Sequence, residues 1–320
     1  MPDTEVTFED IRQAAQRIRH VAQNTPVMTS HSFDAEAGSQ AFFKCENLQK
    51  GGAFKIRGAS NFILSIPKQN LSRGVVAFSS GNHAQAVAIA ARAVGAPATL
   101  VMPEDAPRAK MEATRAQGAC IVTYNRSNED RGAISARIAA GTGATQVPPY
   151  DHPWIIAGQG TTALELLEQQ PDLDALAVCI GGGGLIAGCA VAAKRLKPSI
   201  RIFGVEPAIA NDTYLSLAAG RRMAIPTPAV DTIADGLRSP MPGERTFPII
   251  QRHVEQIVLV TEEEIRATVK FLLMRMKILV EPSGAVPAAA ALFKKLPPGV
   301  GRVGIVLSGG NVDYEQLASF

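Results

Sequence analysis

No apolar run in this sequence reaches the roughly 18 residues that a membrane-spanning helix requires. No apolar signal-peptide core follows Met1-Pro2-Asp3-Thr4-Glu5, which argues against secretion. The four cysteines (Cys45, Cys120, Cys179, Cys189) make no C-x-x-C pair and lie in apolar stretches, so reduced core thiols are expected. Charge of one sign is not in surplus either. The formal net charge is +3, the basic residues are dispersed, and the 5% of aromatic residues are not interleaved with them, which excludes a nucleic-acid binder. Internal repeats and low-complexity tracts are absent. What remains fits a soluble cytosolic enzyme. With 46% apolar and 19% charged residues over 320 positions, the chain can bury a large core, divided between two domains.

Glycine is present in a telling place. Gly181-Gly182-Gly183-Gly184 lies between strand-like Ala175 to Ile180 and helix-like Leu185 to Leu196. It lacks the G-x-G-x-x-G spacing of a dinucleotide site and the Lys-Ser or Lys-Thr pair of a Walker loop. Four glycines before a helix still let backbone N–H groups converge on an anion, reinforced by the helix dipole. Three further segments accompany it. Lys55, between Phe54 and Ile56 at the expected start of a helix, can have its amine partly desolvated, which lowers its pKa and suits Schiff-base chemistry. Ser79-Ser80-Gly81-Asn82-His83 forms a polar turn between the apolar run Gly74 to Phe78 and an Ala-rich helix, where open α/β sheets place ligands. Ser308-Gly309-Gly310-Asn311 follows strand-like Arg302 to Leu307.

An amine nucleophile, an anion cradle, an asparagine turn and a terminal Ser-Gly-Gly together call for a cofactor with an aldehyde, a phosphate and a ring, and pyridoxal 5′-phosphate fits. In this order the four segments resemble the second structural class of pyridoxal-phosphate enzymes (fold type II, tryptophan synthase β-like). The likeness is greatest to the branch of serine racemase, threonine and serine dehydratases and 3-hydroxyaspartate dehydratases. It covers Thr25-Pro26 to Asn311-Val312-Asp313.

The resemblance implies an α/β fold with two open doubly wound sheets. The large cofactor-binding domain would comprise 1–73 and 151–320, with a small substrate-closing domain at 74–150 inserted in it. The alternation of apolar runs and helix-like stretches agrees: an N-terminal helix from Phe8 to about Ala22, then a compact series from Gly74 to Tyr150. Pro148-Pro149-Tyr150-Asp151-His152-Pro153 reads as the hinge loop. The chain stops too soon after Asn311 to hold the C-terminal regulatory domain of the family's allosteric dehydratases.

By the same resemblance Lys55 bonds the cofactor aldehyde and acts as a base at Cα. Phe54 packs beside the ring, Asn82 holds the 3-hydroxyl, and Gly181 to Gly184 with the amide of Leu185 cradle the phosphate. Ser308 would partner the pyridine nitrogen. A neutral hydroxyl there makes the ring a weaker electron sink than a carboxylate would, so prompt loss of a β-leaving group suits the site better than transamination. Ser79, Ser80, Asn82 and His83 resemble the loop that binds the substrate carboxylate. Ser80 also aligns with the hydroxyl that faces Cα opposite the lysine in racemases; its alternative is an N-cap or turn serine.

Glu206, the Ala210 carbonyl and Asp212 resemble the protein ligands of a divalent cation, Mg²⁺ or Ca²⁺, and are hard oxygen donors of the right kind. The alternative is Asp212 as a helix N-cap beside an unrelated surface glutamate. Arg131 resembles an arginine that reaches the distal end of the substrate, where its fork would suit a second carboxylate, with Ser239 joining it. The alternative for Arg131 is an exposed helix residue paired with Glu129 or Asp130. Ala53 and Ala84 replace the family's commoner serine and glycine, as in its hydroxyaspartate dehydratases. The expected function is therefore a cytoplasmic, homodimeric ammonia-lyase of 3-hydroxy-L-amino acids, acting on 3-hydroxyaspartate to give oxaloacetate and ammonia. L-serine/L-threonine dehydratase and serine or aspartate racemase are the alternatives.

Overall fold

Ten strands form two sheets in the computed structural model, which describes residues 6–79, 81–106, 108–125, 127–225 and 231–320. They are β1 Val27–Met28, β2 Gln40–Cys45, β3 Val75–Phe78, β4 Ala98–Pro103, β5 Cys120–Tyr124, β6 Thr145–Gln146, β7 Ala175–Cys179, β8 Arg201–Pro207, β9 Gln256–Val260 and β10 Arg302–Leu307. The larger sheet runs β1-β2-β10-β7-β8-β9, and the smaller β5-β4-β3-β6. Every pairing is parallel except β1 with β2. The expected α/β architecture with two open sheets is what the chain adopts.

Local sequence explains these elements. The inner strands β7 and β10 are continuous apolar runs, buried along almost their whole length, as strands covered on both faces must be. The helix Gly184–Leu196 crosses against the helix Pro153–Gln169, where Gly160 and Gly188 meet backbone to backbone. A Cβ on Gly188 would lie 2.2 Å from the Ile156 carbonyl oxygen, so only glycine permits this approach. Large-sheet residues and these helices form one core; a second gathers Val75, Leu100 and Val87 with Ile56, Ala59 and Ile63. The helix Lys55–Ser65 thus lies at the junction, one face on the small sheet's packing and another against Pro153–Gln169.

Two expectations are corrected. The N-terminal helix spans Phe8–Ile18 and stops short of Ala22. The backbone N–H groups of Val21 and Ala22 both converge on the Ile18 carbonyl, so the last turn tightens and closes there. Its start follows the sequence: Thr7 and Asp10 form a capping box. Cys120 is not a core thiol but an exposed one on the edge strand β5, whereas Cys45, Cys179 and Cys189 are buried.

Two residues beyond Lys55, Arg57 is fully buried. Its guanidinium donates from Nε and Nη2 to Glu46 at 2.7 and 2.8 Å, and from Nη1 and Nη2 to Glu165, both at 2.7 Å. Lys44 donates to the same Glu165 at 2.7 Å. Burial by itself would raise the Glu46 carboxyl, but Arg57 holds it below the usual carboxylate range. Truncating Arg57 would strand two carboxylates in the interior. Arg57→Ala is expected to cost about 3–5 kcal/mol of unfolding free energy in urea titrations. A loss below about 1 kcal/mol would show that the network does not hold this helix.

Candidate active site

The carboxyl ends of β3, β7 and β10 open on one cleft of about 830 Å³. Ligands collect at such ends in open parallel sheets. Phe54, Lys55, Ser79, Asn82, His83, Arg131, Gly181, Gly182, Gly183, Gly184, Leu185, Ser239 and Ser308 all line it. Ser80 lies outside the described residues. Glu206, Ala210 and Asp212 do not line the cleft.

Lys55 begins its helix, and the segment before it is stitched to the end of β10: the Phe54 N–H donates to the Ser308 carbonyl at 3.0 Å. Lys55 Nζ donates to the Pro149 carbonyl at 2.8 Å and lies 5.2 Å from the centre of the Phe54 ring. Burial pushes its pKa down to about 8, with Cys179 and Glu281 opposing. A useful fraction of the amine is therefore unprotonated near neutral pH.

The four glycines turn the chain from β7 into the helix Gly184–Leu196. Gly183 has φ of +91°, a conformation that favours glycine. A Cβ on Gly182 would meet the Tyr150 ring at 2.4 Å. The first bond of the helix runs from the Ala187 N–H to the Gly183 carbonyl, so earlier amides are not consumed by the helix itself. From outside, Thr246 Oγ1 donates to the Gly182 carbonyl at 2.8 Å and fixes the turn. This is a rigid cradle of backbone donors at a helix N-terminus, which fits a phosphate.

Neutral groups surround it. Ser308 is buried and its hydroxyl bonds the Cys179 thiol, which burial pushes up to about 11. His83 is buried, and burial followed by the nearby Lys55 lowers its pKa to about 3. The neutral ring donates from Nε2 to the Val147 carbonyl at 3.1 Å, so it ties the turn after β3 to the chain leaving β6 and is no base in this state. Asn82 is bonded by two residues that the sequence reading left without roles. Its Nδ2 donates to Glu281 at 2.7 Å, and its Oδ1 accepts from Asn311 at 2.9 Å.

Arg131 opens the helix Arg131–Thr142, its guanidinium 5.3 Å from the centre of the Phe78 ring at the cleft wall. The alternative pairing does not form. Asp130 caps the helix by accepting from the Gly132 and Ala133 amides, and Glu129 accepts from the Asn125 amide. At the other candidate centre, Glu206 is completely buried, not a surface residue, and its carboxylate accepts from the amides of Thr213 and Tyr214. Asp212 is the first residue of its helix, with Asn211 at the cap position. Both Asp212 carboxylate oxygens are buried with no hydrogen-bond partner among the described residues. Burial raises Glu206 to about 7; burial and then the Glu206 charge raise Asp212 to about 8. Among the described residues no three His, Cys, Asp or Glu side chains converge on one point.

Cys179, Glu281 and Tyr150 also line the cleft and escaped the sequence reading. Cys179 hid at the end of an apolar strand. Glu281 carried only the local signal of a residue preceding a proline-opened helix.

An amine of lowered pKa, a glycine cradle and a buried serine gathered at the strand ends of two open, mainly parallel sheets define a fold-type II pyridoxal-phosphate enzyme. Residues 18–309 match the family described as "Pyridoxal-phosphate dependent enzyme". The L-threo-3-hydroxyaspartate ammonia-lyase of Saccharomyces cerevisiae is 48% identical over 98% of this chain and 95% of its own length. The serine racemase of Schizosaccharomyces pombe is 46% identical over 98% and 97% respectively. The maize serine racemase structure superposes with a TM-score of 0.93 at 45% identity, covering 98% of this chain and 96% of that one. The chain belongs to the pyridoxal-phosphate dependent enzyme family, and pyridoxal phosphate is its cofactor.

Only the unprotonated amine attacks an aldehyde. Capture of pyridoxal phosphate by the apoprotein, trapped with borohydride and read at Lys55 by mass spectrometry, should quicken with pH through a midpoint near 8. A midpoint at the ordinary lysine value of 10.5 would contradict a desolvated amine.

Proposed function

We propose that this chain is an ammonia-lyase of 3-hydroxy-L-amino acids whose substrate is 3-hydroxyaspartate. The observation that carries the choice is the Arg131 guanidinium, held over Phe78 at the wall of the cleft that contains Lys55. A planar fork placed there suits a second carboxylate on the substrate, which serine and threonine lack. The 48% identity to a protein named for 3-hydroxyaspartate supports the same reading. Ser239, which lines the cleft beside Gly181, would join Arg131.

Bound pyridoxal phosphate supplies an aldehyde for the substrate amine and a ring that draws electron density from Cα. The glycine turn and the Leu185 amide would hold its phosphate, Asn82 its 3-oxygen, Ser308 its ring nitrogen, and Phe54 would flank its ring. Lys55 withdraws the Cα proton and the 3-hydroxyl departs as water. The released enamine hydrolyses to oxaloacetate and ammonia. Ser79, Ser80, Asn82 and His83 would form the loop that orients the α-carboxylate, His83 by holding the turn through its bond to the Val147 carbonyl. Ser308 is neutral and cannot hold a positively charged ring nitrogen as a carboxylate would, which favours early loss of the hydroxyl. Racemisation is the reading that the second relative suggests; it would call on Ser80 opposite Lys55.

We further infer a divalent cation, Mg²⁺ or Ca²⁺, held by Glu206, the Ala210 carbonyl and Asp212. The partnerless buried oxygens of Asp212 support it, because two buried carboxylates side by side call for a positive charge between them. A cytoplasmic homodimer completes the proposal. Leu48 and Leu279, brought together by the bond from Asn47 Nδ2 to the Leu279 carbonyl, are 50% and 42% exposed and would suit a subunit contact.

Ammonia release from a panel of 3-hydroxy amino acids tests the activity, and Arg131→Ala tests the substrate. The substitution should lower kcat/KM for 3-hydroxyaspartate by about ten- to a hundredfold and leave serine turnover nearly unchanged, since a charge-assisted contact contributes roughly 1.5–3 kcal/mol. Equal losses on both substrates would return the assignment to a general serine/threonine dehydratase. Chelation should lower the melting midpoint, because a cation at about a hundred times its Kd stabilises the folded state by about 2.7 kcal/mol. Re-addition of Mg²⁺ or Ca²⁺ should restore it; a midpoint indifferent to both would remove the cation.

A further inference from the structure

The Asn311–Asn82–Glu281 chain of side chains joins the two sheets across the cleft. Asn82 opens the helix Asn82–Ala93 that follows β3 of the small sheet. Asn311 lies beyond β10 of the large sheet, and Glu281 precedes the helix Pro282–Leu292 that packs on it. Asn311 Nδ2 donates to the Gly51 carbonyl at 2.8 Å and to Asn82 Oδ1 at 2.9 Å, and Asn82 Nδ2 donates to Glu281 Oε1 at 2.7 Å. Asn311 Oδ1 rests against Gly52, where a Cβ would come within 2.3 Å of it.

Both ends of this chain only accept. A backbone carbonyl has no proton to give, and neither has an ionised carboxylate. The Gly51 carbonyl therefore compels Asn311 to present its NH₂, and Glu281 compels Asn82 to do the same. Between them only one arrangement leaves no donor facing a donor: Asn311 gives to Asn82, and Asn82 gives to Glu281. The amide of Asn82 thus cannot flip without breaking a bond at each end. Its NH₂ group has two protons and one is spent on Glu281, so the second remains for the cleft that Asn82 lines. Glu281 is itself fixed, since its N–H donates to the Gly309 carbonyl at 3.0 Å. A Cβ on Gly309 would lie 2.4 Å from Glu281 Oε1, so the glycine makes room for the carboxylate.

We propose that Asn311 is a positioning residue that, with Glu281, locks the Asn82 amide so that one N–H always points at the cofactor's 3-oxygen, tying the small sheet to the large one through that contact. The proposal rests on pyridoxal phosphate occupying this cleft. It assigns a role to the last residue of the Ser-Gly-Gly-Asn segment. Asn311→Asp is the sharpest test because it keeps the shape and removes the NH₂. An aspartate facing the Gly51 carbonyl and Asn82 would turn the Asn82 NH₂ towards itself and leave Asn82 Oδ1 against Glu281.

The expected result is pyridoxal-phosphate binding at least about tenfold weaker than in the parent chain, by titration of the apoprotein, with a displaced cofactor absorption band. In an Asn82→Ala background the same substitution should change the dissociation constant by less than about twofold, because the residue through which it acts is gone. Melting of the apoproteins monitors folding, and Asn311→Ala, read in the same two backgrounds, serves if the aspartate variant does not fold. Unchanged affinity and band, or an equal loss with and without Asn82, would overturn the proposal while leaving the cofactor assignment intact. A parent chain that binds no pyridoxal phosphate would overturn the assignment of the cleft itself.

Discussion

The guanidinium of Arg57 sits between Glu46 and Glu165 with no access to solvent on either the arginine or Glu46. Such a group cannot be moved a little: its donors are aimed at the Glu46 and Glu165 carboxylates, the Thr161 hydroxyl and the Gln23 carbonyl, and any displacement exposes buried charge to an apolar surrounding. The consequence is positional. Glu46 directly follows β2 of the large sheet, Glu165 rides on the helix Pro153–Gln169, and Arg57 lies two residues beyond Lys55. The Lys55 amine is therefore fixed relative to the central strands and the principal helix layer by three side chains that do not line the cleft. Burial lowers the pKa of neighbouring Lys44 despite the opposing pull of Glu165, which shows how dry this region is.

Dryness also sets the character of the cleft. Lys55, Cys179 and His83 are all displaced towards their uncharged forms, with burial as the leading cause in each. Ser308 is neutral by nature. Glu281 brings a carboxylate to the same cleft, where it is bonded to Asn82. A site of neutral groups does not stabilise a fully developed charge on a bound ring. It suits chemistry in which negative charge at Cα is discharged at once through a leaving group, and elimination of a β-hydroxyl is of that kind. On the proposed reading, the second carboxylate of a dicarboxylic substrate would meet the guanidinium of Arg131, an exposed residue at the cleft wall.

Much of this was readable from local pattern. Strand-like runs ending in Ser79, in Gly181 and in Ser308 are period signals broken by residues that can only be turns. An amine beside Phe54, a glycine run and an asparagine turn specify the cofactor by composition. The residues that escaped notice share a physical reason. Glu281 and Cys179 matter through burial and through partners about 130 to 200 positions away in the chain, namely Ser308 for Cys179 and Asn82 for Glu281. Glu206 looked like a possible surface carboxylate because a lone glutamate after an apolar strand carries no local mark of burial. Cys120 misled in the opposite direction, since an apolar stretch on an edge strand still exposes alternate side chains.

The order of apolar runs and turns pointed to open α/β sheets, because such runs can bury both faces only when helices cover them. The combination of Lys55, the Asn82 turn, the glycine run and the terminal Ser-Gly-Gly pointed to a phosphate-bearing aldehyde. Local sequence could not decide which side chains would be neutral, which amide would be locked, or that Arg131 would lie over Phe78 rather than pair with its acidic neighbours. Those depend on desolvation and on contacts between residues far apart in sequence, and neither exists until the two sheets close on one another.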